Sequence, residues 1–179
     1  MTSIREKYNK TAIAEMEKEF KLGNVFEVPR IEKVVVNVGI GKFLKDSGIV
    51  DDVAKSLTSI TGQKPMATQA KKSIAGFKIR EGLEVGMKVT MRGRRMWDFI
   101  ERLVAAALPR VRDFHGIKAT AVDQNGNLNI GIREHLIFPE ILPEYVKTTF
   151  PLEVTVVTNA GNREKGLKLF QLLGFPMEK

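Results

Sequence analysis

Leu83, Val85, Met87, Val89 and Met91 alternate strictly with Glu84, Gly86, Lys88, Thr90 and Arg92. Successive side chains of a strand point to opposite faces, so this stretch reads as a strand with one side in a core and a basic, polar side left out. Ile31 to Ile40 repeats the pattern, with Val34, Val36, Val38 and Ile40 on one face and Lys33, Val35 and Asn37 on the other. Its β-branched residues favour the same pleated, half-buried setting. Polar groups on the second face need water or a partner once the first face has claimed the core. Two such strands require a sheet covered on one side only.

The cover comes from helical segments. Tyr8, Ala12, Met16 and Phe20 recur every fourth position, with Ile13 beside them, which predicts an amphipathic helix from Ile4. Val28-Pro29-Arg30 breaks it. Asp46 or Ser47 is placed to cap a second helix striped by Ile49, Val53, Leu57 and Ile60, and Gly62 to end it. Met96, Ile100, Leu103, Val104 and Ala107 make a third stripe, closed by Pro109. Asn162 caps a fourth with Leu167, Phe170 and Leu173, ended by Gly174 and Pro176.

Further strands are expected at Pro65 to Gln69 and Leu152 to Val157. Ala119 to Val122 and Leu128 to Ile132 flank an Asn-Gly pair, a hairpin signal. Glu134 to Thr149, with two prolines and several apolar residues, reads as a second exposed functional loop. The order shows no regular βα alternation, which predicts an α+β fold: two layers, a mostly antiparallel sheet, helices on one face and the other face free for a ligand. The chain reads as a single domain over 1–179, with a projecting basic loop at about 70–83.

Chemistry is excluded more readily than it is found. Cysteine is absent, so disulfides, thiolate nucleophiles and Cys-based zinc sites drop out, and a reducing interior fits. His115 and His135 lack metal-ligand spacing, and isolated histidines are most often structural. No carboxylate pair stands out as a catalytic dyad, and no cofactor motif or cofactor is indicated. Gly39-Ile40-Gly41-Lys42 follows a strand, where its backbone N–H groups and Lys42 can cradle a phosphate, but it lacks the spacing of a phosphate-binding loop. A tight turn out of the strand is the simpler reading. The opening residues contain no apolar run of a secretory signal, and no stretch is long enough to span a membrane, so a cytoplasmic protein is expected.

The charge says more. Lys plus Arg number 29 against 21 Asp plus Glu, a formal charge of +8, as a polyanion-binding protein would carry. Lys71, Lys72, Lys78 and Arg80 surround Phe77 in a stretch without period, which joins phosphate-seeking charge to a ring able to stack on a base. Phe77 tucked back onto the core is the alternative. Arg92-Gly93-Arg94-Arg95 forms a second cluster at a strand-to-helix junction, where guanidinium groups bridge phosphates unless Asp98 or Glu101 neutralises them.

At these residues a family likeness emerges. Val28-Pro29-Arg30-Ile31-Glu32-Lys33-Val34-Val35-Val36-Asn37-Val38-Gly39, then Thr61-Gly62-Gln63-Lys64-Pro65 and Lys71 to Gly82, resemble the bacterial large-subunit ribosomal protein L five, as do Leu108 to Gly116 and Ile130 to His135. The resemblance runs in order over nearly the whole chain. It implies a structural, non-enzymatic constituent of the large subunit that binds 5S rRNA and helps attach it to 23S rRNA in the central protuberance. It also implies contact with P-site tRNA, with neighbouring large-subunit proteins, and with a small-subunit protein across the intersubunit bridge. Asn37, Gln63 and Thr90 fall where the family contacts 5S rRNA, and Lys33, Lys88 and Arg92 share the strand faces left free of the core. Lys71, Lys72, Phe77, Lys78 and Arg80 fall in the loop that approaches tRNA. Two readings of other classes stay open: a phosphate-handling enzyme built on Gly39, Gly41 and Lys42, and a sequence-tolerant RNA chaperone.

Overall fold

The computed structural model describes residues 3–43, 46–77 and 79–178, with the side chains of Ser47 and Tyr145 left aside. Three consecutive helical stretches, Ile4–Lys7, Tyr8–Ala12 and Ile13–Phe20, the middle one π-wound, make the first helix, α1. Ser3 caps its start by accepting from the Glu6 N–H, and Lys21 ends it in the left-handed region at φ 49°. Helix α2 spans Ser47–Thr61; the Asp46 carboxylate accepts from the N–H groups of Gly48 and Ile49, and Gly62 closes it at φ 71°. Helix α3 spans Gly93–Arg102 and runs on through the π-wound Leu103–Ala107. Helix α4 spans Arg163–Leu173 behind its Asn162 cap, and buries Gly166, Leu169, Phe170 and Leu173. Leu169 rather than Leu167 therefore belongs to that helix's buried stripe.

Five strands, β1 (Ile31–Gly39), β2 (Met66–Gln69), β3 (Glu84–Met91), β4 (Leu128–Ile132) and β5 (Leu152–Thr158), form one open sheet in the order β2-β3-β1-β5-β4. Every pairing is antiparallel, which gives the α+β architecture expected. Val34, Val36 and Val38 of β1 face the core with Met87, Val89 and Met91 of β3 and Leu152, Val154 and Val156 of β5, all buried. Each fully buried aliphatic side chain contributes roughly 1.5–3 kcal/mol relative to exposure. The helices supply the other wall through Met16, Leu57, Phe99, Ile100, Leu103 and Phe170. Leu83 falls outside β3 and is exposed, so the core alternation starts later than the sequence suggested.

Two expectations fail. Ala119 to Val122 is not a strand: Ala119–Ala121 is a 3-10 turn, and only Val122 bridges to Leu128. The Asp123 carboxylate accepts from the N–H groups of Asn125 and Asn127 and from the Asn127 side-chain amide, which winds this turn too tightly for a paired first arm. Strand β4 pairs with β5 instead. Glu134 to Thr149 is not an exposed loop either. Ile137, Phe138 and Ile141 are buried, and Phe138 stacks on Phe99 of α3 at 6.0 Å between ring centroids. The Arg102 guanidinium pins the segment down, pairing with Glu140 at 2.9 Å and donating to the Ile60 carbonyl at 3.1 Å. Leu142 alone among its large apolar side chains that are described stays well exposed.

Candidate nucleic-acid interface

Among the described residues, no helix covers the second face of the sheet, whose side chains stay half-buried or exposed. Antiparallel register sets which side chains share it. Asn37 lies opposite Lys88 on one side and Glu153 on the other, and Val35 lies opposite Thr90 and Thr155. Lys33 sits opposite Val157, Met66 opposite Lys88, and Asn129 opposite Thr155. All of these are half-buried or exposed; from Val34 on in β1, and in β4, β5 and the Met87–Met91 part of β3, the residues between them are buried. Lys33, Asn37, Lys88 and Thr90 therefore come together on one surface. Among the described residues, the side chains of Lys33, Asn37 and Lys88 make no hydrogen bond or ion pair within the chain.

Gln63 joins them from behind the end of α2. Its Nε2 donates to the Thr90 carbonyl at 3.1 Å, and its backbone N–H faces the Thr61 hydroxyl at 3.4 Å. One end of the amide is thus tied to β3 and holds Gln63 beside Thr90. Arg92 is exposed and occupies the N-cap position of α3 in extended conformation. Arg94 pairs with Asp98 at 3.8 Å, but both side chains are mostly in solvent, and such pairs contribute about 0–1 kcal/mol. The cluster keeps its positive charge.

The basic loop between β2 and β3 has more structure than its sequence suggested. Ala70 and Leu83 close its base, the Ala70 N–H donating to Leu83 and the Gly82 N–H to Ala70. Ile74 and Ile79 exchange backbone hydrogen bonds across its tip, Ala75–Phe77 forms a 3-10 turn, and the Glu81 N–H donates to the Ser73 hydroxyl. The loop is a twisted extension of the β2–β3 hairpin. Phe77 is 75% exposed and so does not tuck back on the core. Lys71, Lys72 and Arg80 are exposed in the same loop; Lys78 lies outside the described residues.

The remaining candidates resolve simply. Gly39, Gly41 and Lys42 are exposed at a 3-10 turn that leaves β1, and the Phe43 N–H donates back to Ile40. His115 is exposed. His135 is fully buried and stacked on Phe150 at 3.9 Å, and burial lowers its pKa, partly offset by a backbone hydrogen bond of Phe150. Among the described residues, no cluster of three His, Asp or Glu is placed to hold a metal ion. No helix there is long and apolar enough to cross a membrane.

Sequence reasoning missed two features. A cleft of 630 Å³ beside the edge strand β4 is lined by Arg110, Arg112 and Arg133 together with Asp113, Glu134 and apolar Leu136. The spacing of Arg110 and Arg112, two apart on an irregular segment, was the available signal. Glu153 was the second, since the alternation of β5 already placed it with Thr155 on the polar face.

Residues 24–80 match the family described as ribosomal protein L5, and residues 84–177 match the C-terminal region of the same ribosomal family. The chain belongs to the ribosomal protein L5 family. Strands β1 and β2 come from the first match and β3 to β5 from the second, so both halves build the one sheet. Membership makes the protein a structural constituent of the large ribosomal subunit, of a kind that is not enzymatic, with ribosomal RNA and ribosomal components as its partners.

Proposed function

We propose that the open face of the sheet docks 5S rRNA through Lys33, Asn37, Gln63, Lys88, Thr90 and Arg92, and so helps attach 5S rRNA to 23S rRNA in the central protuberance. One observation carries this reading: polar and cationic side chains stand in register on a sheet face that no helix covers among the described residues. Lysine and arginine there neutralise phosphates, while amide and hydroxyl groups reach base edges and riboses. The hairpin tip forms a separate contact. Phe77 offers a stacking surface to P-site tRNA, with Lys71, Lys72, Lys78 and Arg80 supplying screened attraction. Contacts with neighbouring large-subunit proteins and a bridge to a small-subunit protein complete the role, in ribosomes of the cytoplasm.

The two surfaces are separable by mutation. Asn37→Ala and Thr90→Ala weaken 5S rRNA in filter binding, while deletion of Ser73 to Lys78 leaves that affinity unchanged and impairs tRNA binding to reconstituted ribosomes. Loss of 5S rRNA binding in the deletion, with tRNA unaffected, would mean the roles are exchanged. Competition with unrelated RNA separates specific docking from chaperone-like binding.

A further inference from the structure

Glu153 is out of place on a surface meant for a polyanion. It is exposed in β5, directly opposite Asn37, on the same face as Lys33 and Lys88. A carboxylate there repels every phosphate that approaches, so phosphate contact gives it no use. Base edges are different. An ionised carboxylate has only acceptors, and it matches a base edge that offers donors.

The surroundings define which edge. Glu153 lines a shallow depression of 470 Å³ with Asn37, Gly39, Gly131, Arg133 and Pro151. Gly131 lies opposite Glu153 on β4, and Gly39 follows Asn37 by two residues on β1, so the β4 flank of the carboxylate and the position diagonal to it on β1 lack side chains, while Asn37 stands on the other flank. Neither glycine needs to be glycine for its own fold: neither has positive φ, and a Cβ on either meets no atom within 4 Å. The absence of side chains leaves bare strand backbone on which a flat ring can lie. Directly opposed side chains in a sheet stand about 4.5–5.5 Å apart, close enough for Asn37 and Glu153 to reach opposite ends of one base edge. Arg133, two residues beyond Gly131, brings further donors to the rim.

We infer that this depression is a base-reading site for one unpaired guanine of the docked rRNA, with Glu153 as its specificity-determining residue; the inference rests on the RNA-docking reading above. The Watson–Crick edge of guanine presents two adjacent donors, N1–H and the N2 amino group, beside one acceptor, O6. The two Glu153 oxygens accept from the donors, and the Asn37 amide or the Arg133 guanidinium donates to O6. Adenine and the pyrimidines lack two adjacent donors on that edge. Unstacked bases of single-stranded RNA are read in this way, on their edges and over a flat support.

The test has an unusual sign. Glu153→Gln removes a negative charge from an RNA-facing surface, so a bystander carboxylate would give equal or tighter binding. The inference requires weaker 5S rRNA binding, on the order of tenfold, as for one lost bidentate base contact. Binding of an unrelated RNA of the same length should stay unchanged or rise. Gly131→Val, whose Cβ would meet no atom within 4 Å and whose methyls fill the depression, should weaken 5S rRNA binding too, with unaltered thermal stability as the check on folding. In a set of 5S rRNAs each carrying inosine for one unpaired guanine, one should lose affinity for the wild-type protein and lose no more for Glu153→Gln. Equal or tighter 5S rRNA binding by Glu153→Gln overturns the inference, as does a wild-type affinity that no inosine lowers. A wild-type protein that fails to prefer 5S rRNA over unrelated RNA overturns the docking reading itself, and the inference with it.

Discussion

Val36 and Asn37 are adjacent on β1, and the fold gives them opposite fates, so truncating each to alanine is a direct test of which face of the sheet is covered. Val36 is fully buried. Val36→Ala deletes two methyl groups, and at about 0.8 kcal/mol each the loss is roughly 1.6 kcal/mol before any cavity term. A residual cavity raises it to about 2 kcal/mol. For a chain of this size each kcal/mol moves Tm by about 2–4 °C, so a drop of roughly 4–8 °C is expected. Asn37 is exposed and its side chain bonds to nothing among the described residues. Asn37→Ala should stay within about 0.5 kcal/mol of wild type, a Tm change of about 2 °C or less. Its loss should appear in RNA binding instead, where one hydrogen bond contributes on the order of 1 kcal/mol, about fivefold in affinity. Thermal unfolding by circular dichroism and filter binding to 5S rRNA, run on both variants, give the two numbers. A Tm drop in Asn37→Ala as large as in Val36→Ala would refute the face assignment.

Three further outcomes follow from the packing. Gly166→Ala should destabilise by about 1–3 kcal/mol or more in urea unfolding, because its Cβ would fall 2.5 Å from the Gly126 Cα, where backbone meets backbone. His135 is held neutral by burial, with its pKa lowered. Between its folded pKa and the unfolded value near 6.5 the unfolded chain binds a proton that the folded chain does not, so its contribution to stability is full above about pH 6.5 and is lost as pH falls. Urea unfolding at pH 7.5 and 5.5 should therefore show a smaller acid loss in His135→Phe than in wild type. Arg102→Lys should destabilise by about 1–3 kcal/mol in the same assay, because one ammonium cannot replace the two guanidinium nitrogens that hold Glu140 and the Ile60 carbonyl.

Most of the frame was legible because strict period-two alternation in β1 and β3 admits one physical solution, and the opposed faces fell where it put them. Helix ends were legible for a similar reason, since Asp46, Gly62 and Asn162 act through local hydrogen bonding or backbone conformation. What escaped depends on distant partners. The 134–149 segment has no period because its apolar residues pack on α3 from 3-10 turns, and Arg102, far off in sequence, helps tie it down. The Asn-Gly signal near 125 was real as a turn, yet the strand expected before it lost to the Asp123 hydrogen bonds. Of the candidate interface, Asn37, Lys88 and Thr90 were visible one strand at a time. That Asn37 stands beside Lys88 and Glu153, and Glu153 beside Gly131, is a matter of cross-strand register, which no local pattern encodes.

The central claim is that RNA meets the uncovered sheet face and not the helical layer. A photo-reactive amino acid placed singly at Thr155 on the open face, and at exposed Lys18 on α1, tests it within the complex with 5S rRNA. The account predicts cross-links to 5S rRNA from position 155 and none from position 18. Cross-links from position 18 alone would contradict it.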